Sequence, residues 1–249
     1  MPDTCKIAMV AALEREVRPL IKHWRRTVRE FEARGFEFFE HDQTVLVCGG
    51  IGAEAARRAT EAIIALYHPS QVMSVGFAGA LDPALGVGAV FSPRHVVDAT
   101  DGSRVEASGG QGVLVTFAGI AGAEQKAKLA RAYQAQAVDM EAAAVARAAQ
   151  AHGLTFAATK AISDELGFEM PAMDRFIGNH GQFRTGGFVA FSAIRPWLWP
   201  SVFQLARNSG KASKALCREL RQRLEMSQYS EKRVQKTEPE LHPISKATN

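Results

Sequence analysis

Cysteine is scarce in this chain: three residues, Cys5, Cys48 and Cys217, in a sequence of 249. They form no C-x-x-C pair and no Cys/His ligand cluster, which argues against a structural zinc site and suits a reducing cytosol. The seven histidines stand at no metal-ligand spacing. Charge of one sign is lacking too. Lysine and arginine number 30 against 26 acidic residues, a net +4 that is too small to mark a nucleic-acid binder. No stretch reaches the ~18 uncharged apolar residues of a membrane span. The opening MPDTCKIAMVAALEREV has only a short apolar run, carries Asp3 and Lys6, and does not read as a signal peptide. Neither G-x-S-x-G nor G-x-x-x-x-G-K-[ST] occurs, so the α/β-hydrolase and P-loop readings have no support.

What is present is an ordinary globular balance, 47% hydrophobic and 22% charged, long enough for one large domain or two small ones. Short apolar runs alternate with helical patterns. Residues 6–12 read as a buried strand, after which Leu13, Val17, Leu20, Ile21 and Trp24 fall at helical spacing, with Pro19 placed in about the first turn. Residues 44–48 form a second strand, followed by Gly49-Gly50-Ile51-Gly52 and a helix through AEAARRATEAIIALY. Residues 71–75 lead into Gly76-Phe77-Ala78-Gly79. Further strands are expected at 87–91, 94–98, 112–117, 135–139 and 155–162, and helices at 123–133, from near Glu141, and over 201–225. Strands alternating with helices point to an α/β layered domain. The polar, aperiodic stretch 226–249 reads as a disordered tail.

In open α/β sheets, ligands bind beyond the carboxyl ends of the strands, so polar residues at strand ends are the first candidates. Three acids stand there: Glu16 after 6–12, Glu141 after 135–139, and Asp164 after 155–162. Each alone fits the preference of a helix N-terminus for negative charge. Three at equivalent edges point to a shared cleft, where carboxyls with separated pKa values serve as general acid and general base. Gly50-Ile51-Gly52-Ala53-Glu54-Ala55 matches G-x-G-x-x-A after a strand. The next strand ends in Val75-Gly76-Phe77, without the acid a dinucleotide site needs, so a tight turn and close helix packing explain these glycines better.

The motifs AMVAALEREV (8–17), GGIG (49–52), VGFAGAL (75–81), VDMEAAAVA (138–146) and KAISDE (160–165) occur in this order. Together they resemble the purine nucleoside phosphorylase / methylthioadenosine nucleosidase superfamily, over roughly residues 5–192. The insertion ELGFEMPAMDRFIGNHGQFRTG (165–186) and the following RPWLWPSVFQLARNSGKASKALCREL (195–220) are similar to its hopanoid-associated phosphorylase branch. Members of that branch are assigned to removing adenine from adenosylhopane during bacteriohopanepolyol synthesis.

The resemblance implies a single three-layer α/β/α domain over residues 1–225, around a mixed, partly barrel-like sheet. It implies an enzyme that cleaves the N-glycosidic bond of a 5′-substituted adenosine, with no cofactor and with water or phosphate as the second substrate. Adenosylhopane would give ribosylhopane with water and phosphoribosylhopane with phosphate. By matched position, Asp164 would protonate N7 of adenine with Ser163 beside it. Glu141 would hold the ribose 2′- and 3′-hydroxyls, Met140 would pack on the sugar face, and Glu16 would activate water. Phe117 and Ile120 fall where the family places adenine-packing residues, and a core role suits both equally.

Two departures stand out. Phe77 occupies a position that is Ser or Thr in the family's G-[ST]-x-G, and no G-D-x-x-R phosphate motif is recognisable near the N-terminus; both weaken a phosphorylase reading and favour water. The segment 116–120 lacks the Asp common near that point. Family members are homo-oligomers in many cases, and a small-molecule lipid-nucleoside substrate is implied rather than nucleic acid.

Near the end of the chain, Arg207, Lys211, Lys214, Arg218 and Arg221 fall on one helical face, with Ala212, Leu216 and Leu220 in an adjacent apolar stripe. Trp197 and Trp199 precede them. This is either a surface helix with its leucines inward or an interfacial anchor at the inner face of a membrane; the localisation expected is cytoplasmic, with peripheral membrane contact through 195–225. The alternative within the superfamily is a methylthioadenosine/S-adenosylhomocysteine nucleosidase. The alternative outside enzymes is a non-catalytic lipid- or nucleotide-binding module, against which the three acids argue.

Overall fold

The computed structural model describes residues 5–168 and 199–237. Its centre is a mixed sheet built outward from β1 (Ile7–Ala11), which lies between β4 (Thr44–Cys48) and β5 (Gln71–Ala80), parallel to both. Along β1, Ala8 and Val10 enter one hydrophobic cluster while Met9 and Ala11 enter another. That is the period-two alternation of a strand covered on both faces. Helices α2 (Ala53–Tyr67) and α4 (Ala142–Ala151) cover the first face through Ala59, Ile63 and Val145. On the second face lie α1 (Glu14–Ile21) and α5 (Trp199–Thr237), through Val17, Leu20, Leu216 and Leu220. Helices thus flank a mixed central sheet on both faces, as the sequence pattern implies.

Strand β5 is where the sheet branches. Its first residues pair with β1, its last with β10 (Ala137–Asp139) in antiparallel fashion, and β11 (Thr155–Asp164) runs parallel to nearly its whole length. From β10 the sheet continues through β9 (Val113–Thr116), β7 (His95–Asp98) and β8 (Arg104–Glu106), while β6 (Val90–Phe91) pairs with β11. Helix α3 (Ala123–Tyr133) closes over β9 and β10. The carboxyl ends of β1, β5, β10 and β11 therefore gather around one point.

Several elements differ from the sequence expectation. Residues 25–41, to which no element was assigned, form the hairpin β2 (Arg25–Phe31) and β3 (Arg34–His41), paired antiparallel and continuing onto β4. Strand β2 is largely exposed and charged, while β3 buries Phe36, Phe38 and Phe39 in the core; ion pairs such as Arg26–Glu37 and Arg25–Glu40 join the two across the hairpin. Strand β5 runs on through Gly76 and Gly79 to Ala80 rather than ending at 75. Helix α1 stops at Ile21, with Pro19 in its second turn. Helix α5 reaches Thr237, so the first part of the stretch expected to be a disordered tail continues the helix; residues 238–249 lie outside the described residues, as does most of the irregular segment 165–200 with Trp197.

The basic face of α5 is exposed at Arg207, Lys211, Lys214, Arg218 and Arg221, and its apolar stripe at Ala212, Leu216 and Leu220 is buried against α1 and the sheet. The stripe is thus part of the core. Among the described residues no helix is long and apolar enough to cross a membrane.

Candidate active site

At the gathered strand ends lies a cavity of about 150 Å³. Its walls include Glu16, Phe77, Ile120, Met140, Glu141, Ser163 and Asp164, seven of the eight residues singled out from sequence. The eighth, Phe117, is not among them. Its ring borders the wall residue Gly119, where a Cβ would stand 3.7 Å from it. Phe117 packs against the cluster of Val115, Leu129 and Val138 beneath α3.

Each acid owes its place to local geometry. Glu16 sits in the first turn of α1 and points back at β5, where Gly76 has φ of +148°. A Cβ at Gly76 would stand 2.7 Å from Glu16 Oε2, so the carboxylate occupies a notch that only glycine leaves open. Asp164 uses a second notch. The register of β11 against β5 shifts between Ile162 and Asp164, Ser163 being the extra residue, and Asp164 comes opposite Gly79. A Cβ there would lie 2.8 Å from Asp164 Oδ2. Such a bulge re-aims a side chain without ending the strand.

Glu141 is the N-cap residue of α4, yet its side chain does no capping. The first amides of that helix are satisfied by others: Ala142 N–H donates to Asp139 Oδ2 at 2.9 Å and Ala143 N–H to Thr116 Oγ1 at 2.9 Å. Glu141 Oε1 is left to accept from Gly52 N–H at 2.8 Å. The Gly50-Ile51-Gly52 turn thus positions a site carboxylate.

Two buried lysines complete the site, and neither was given a role from sequence. Lys160 on β11 is 1% exposed, and its Nζ lies 2.8 Å from Asp139 Oδ2. Burial alone would lower its pKa; Asp139, Glu141 and Glu16 outweigh that and hold it raised. Lys126, in the first turn of α3, is also 1% exposed and forms an ion pair with Asp164 Oδ2. Ser163 Oγ donates to Asp164 Oδ1 at 2.6 Å. A signal existed for both lysines. Lys160 interrupts the apolar run TFAATKAI, and Lys126 is three residues before Leu129, on the buried side of α3.

The two ends of the cavity differ in charge. Around Lys160 stand three carboxylates, those of Asp139, Glu141 and Glu16. Burial pushes the Glu16 carboxyl up to about 8, with the Glu141 charge adding to it. Burial and the Asp139 charge push Glu141 up to about 7. Glu16 Oε2, packed against Gly76, is buried without a hydrogen-bond partner among the described residues. Around Asp164 there is one carboxylate, one ammonium and one hydroxyl. The arrangement can place a base or an anion-stabilised cation at the first end and deliver a proton at the second.

The family model "Phosphorylase superfamily" matches residues 6–119 and 110–184. A 5′-methylthioadenosine/S-adenosylhomocysteine nucleosidase of Marinomonas sp. (strain MWYL1) is 30% identical over 213 residues, covering 66% of this chain and 88% of the relative. One from Staphylococcus epidermidis is 27% identical over 196 residues, covering 64% and 86%. Among solved structures, a Helicobacter pylori 5′-methylthioadenosine/S-adenosylhomocysteine nucleosidase superposes with a TM-score of 0.66 at 17% identity, over 90% of this chain and 99% of that one. The futalosine hydrolase of the same organism gives 0.61 at 18% identity, over 86% and 96%. At such identities these two likenesses concern the fold.

Proposed function

This chain belongs to the phosphorylase superfamily, and on that premise we propose how it works as an N-glycosyl-bond-cleaving enzyme of 5′-substituted adenosines. The observation that carries the reading is the convergence of Glu16, Glu141 and Asp164, from three separate elements, on one cavity. The ribose lies at the Lys160 end, with Glu141 accepting from its 2′- and 3′-hydroxyls and Met140 against its face. The adenine lies toward Asp164 and Ile120. Asp164 gives a proton to N7 as the C1′–N9 bond breaks and the bonding pair leaves with the base. The sugar becomes oxocarbenium-like, and the three carboxylates of that end stabilise the developing positive charge. Glu16 takes a proton from the water that attacks C1′. A carboxyl pushed up to about 8 is, once ionised, a better proton acceptor than an ordinary carboxylate.

Water suits this end better than phosphate. A phosphate dianion would enter beside three acids, offset only by the buried Lys160 and the Arg15 guanidinium of the wall, and the position where a hydroxyl would receive it carries Phe77. Phosphate remains the alternative nucleophile, and no cofactor is called for.

For the 5′-substituent we propose adenosylhopane, converted to ribosylhopane in hopanoid synthesis. Support comes from the segments 165–186 and 195–220 and from a second opening of about 960 Å³. That opening is lined by Glu165 and Phe168, just after Asp164, and by Phe203, Arg207 and Lys211 of α5; Phe203 is 70% exposed. A triterpenoid tail leaving here would meet the basic face of α5, which suits contact with an anionic membrane surface. The nucleosidases of Marinomonas and Staphylococcus epidermidis favour a second reading, a methylthioadenosine/S-adenosylhomocysteine nucleosidase. Adenine release from adenosylhopane, a long-chain 5′-alkyl adenosine and 5′-methylthioadenosine decides between them. A kcat/KM at least tenfold higher for the long-chain substrates supports the lipid-nucleoside reading. Preference for methylthioadenosine replaces it with the second, and release from none of the three overturns both.

A further inference from the structure

The ammonium buried at the base end has no part in the roles given so far. Lys126 reaches Asp164 from α3, and its Nζ also donates to the Glu165 carbonyl at 2.6 Å. Its Cε would lie 3.0 Å from a Cβ at Gly79, so the lysine stem and the Asp164 carboxylate share one notch in β5. A lysine in the first turn of a helix opposes the helix dipole, and burying it adds a desolvation cost. Nothing in the packing of α3 calls for a cation here, since the other buried residue of that helix is Leu129. Asp164 is held at both oxygens, by the Ser163 hydroxyl on Oδ1 and by the ammonium on Oδ2. Of these two donors, the ammonium is the one that carries an ionisable proton.

We propose that Lys126 is a positioning residue for leaving-group departure: it fixes the Asp164 carboxyl against Gly79 and replenishes the proton that Asp164 passes to N7. The inference rests on the reading of Asp164 as the acid. The balance is simple. One proton moves from Lys126 Nζ to the Asp164 carboxylate and one from Asp164 to N7, while the C1′–N9 pair goes to the base. The lysine is left as a neutral amine, adenine departs uncharged, and the proton of the attacking water goes to Glu16. Solvent recharges the amine after the products leave.

The test compares two leaving groups on one sugar, 5′-methylthioadenosine and p-nitrophenyl 5-methylthio-β-D-riboside, with wild type, Lys126→Met, Lys126→Gln and Lys126→Arg. Nitrophenolate departs without protonation, so its release bypasses this end of the site. In Lys126→Met, kcat for adenine release falls about 100-fold or more, KM stays within a few-fold, and nitrophenolate release falls less than about tenfold. Lys126→Gln keeps a donor to Asp164 without a proton to relay; it shows the same selective loss and serves if Lys126→Met does not fold, thermal melts being followed for each. Lys126→Arg recovers part of the adenine release. Equal losses on both substrates make Lys126 a structural residue and overturn the proposal, as does unchanged adenine release. A wild type that releases neither group, and no adenine from a long-chain 5′-alkyl adenosine, overturns the cleavage reading itself, and this inference with it; where only the alkyl sugar is accepted, the same two leaving groups are compared on it.

Discussion

The Lys160 end and the Asp164 end of one cavity, proposed above to take the sugar and the base, lie only a few residues apart along β5 and are built on opposite electrostatic plans. At the sugar end, Asp139, Glu141 and Glu16 crowd around Lys160, and one Glu16 oxygen has no hydrogen-bond partner among the described residues. At the base end, Asp164 is closed into an ion pair with Lys126 and capped by Ser163. An excess of negative charge without full compensation is costly in the free enzyme and useful when the bound sugar turns cationic. A neutral, fully bonded pair holds geometry and moves a proton without leaving net charge behind in the resting state. Same strand, same kind of glycine notch, different partner count: the number of cations per carboxylate separates the two jobs.

The contrast is broken most severely at the base end. Asp164→Asn keeps the shape and removes the acid; adenine release falls by about 10³-fold, the middle of the usual range for a lost general acid. Calorimetry shows methylthioadenosine still binding. The next largest effect is at the other end. Lys160→Met leaves three buried carboxylates without their central cation, and removing one partner of a buried pair costs about 3–5 kcal/mol. A melt should fall by about 10 °C for a chain of this size. Because Lys160 holds down both Glu16 and Glu141, whatever activity survives moves its acidic limb to higher pH.

Glu141→Gln is milder. It loses a bidentate anionic acceptor for the ribose hydroxyls, so KM rises about tenfold or more, and Gly52 N–H keeps an acceptor. The smallest effect on stability has the opposite sign. Burial holds the Glu16 carboxyl at about 8 in the folded state against an ordinary value of 4.5, so the folded state binds the extra proton between those values. Its contribution to stability is full below about 4.5 and is lost as pH rises through about 8. Glu16→Gln lacks this titration. Its Tm equals that of wild type near pH 4.5 and exceeds it by a few degrees at pH 8, while its turnover is lost.

The sequence made the acids legible and left the cations hidden. Glu16, Glu141 and Asp164 stand at strand ends, where pattern and motif agree. Lys160 and Lys126 read as ordinary lysines until the strand and helix faces that bury them are known. The bulge at Ser163 leaves no trace in the hydrophobic pattern, though it is what brings Asp164 opposite Gly79. In the β2–β3 hairpin the charged, exposed β2 gives no apolar pattern, although β3 turns Phe36 and Phe38 into the core; Phe117, for which a core role suited equally, packs beneath α3. Phe77, read from its departure from G-[ST]-x-G, does line the cavity.

The measurement that bears most directly on the contrast is adenine release from 5′-methylthioadenosine in phosphate-free buffer, wild type beside Glu16→Gln. The account predicts release by wild type, with the free ribosyl product, and a loss of orders of magnitude in the variant although it melts no lower. Release that begins only when phosphate is added, or a Glu16→Gln variant that turns over like wild type, would contradict it.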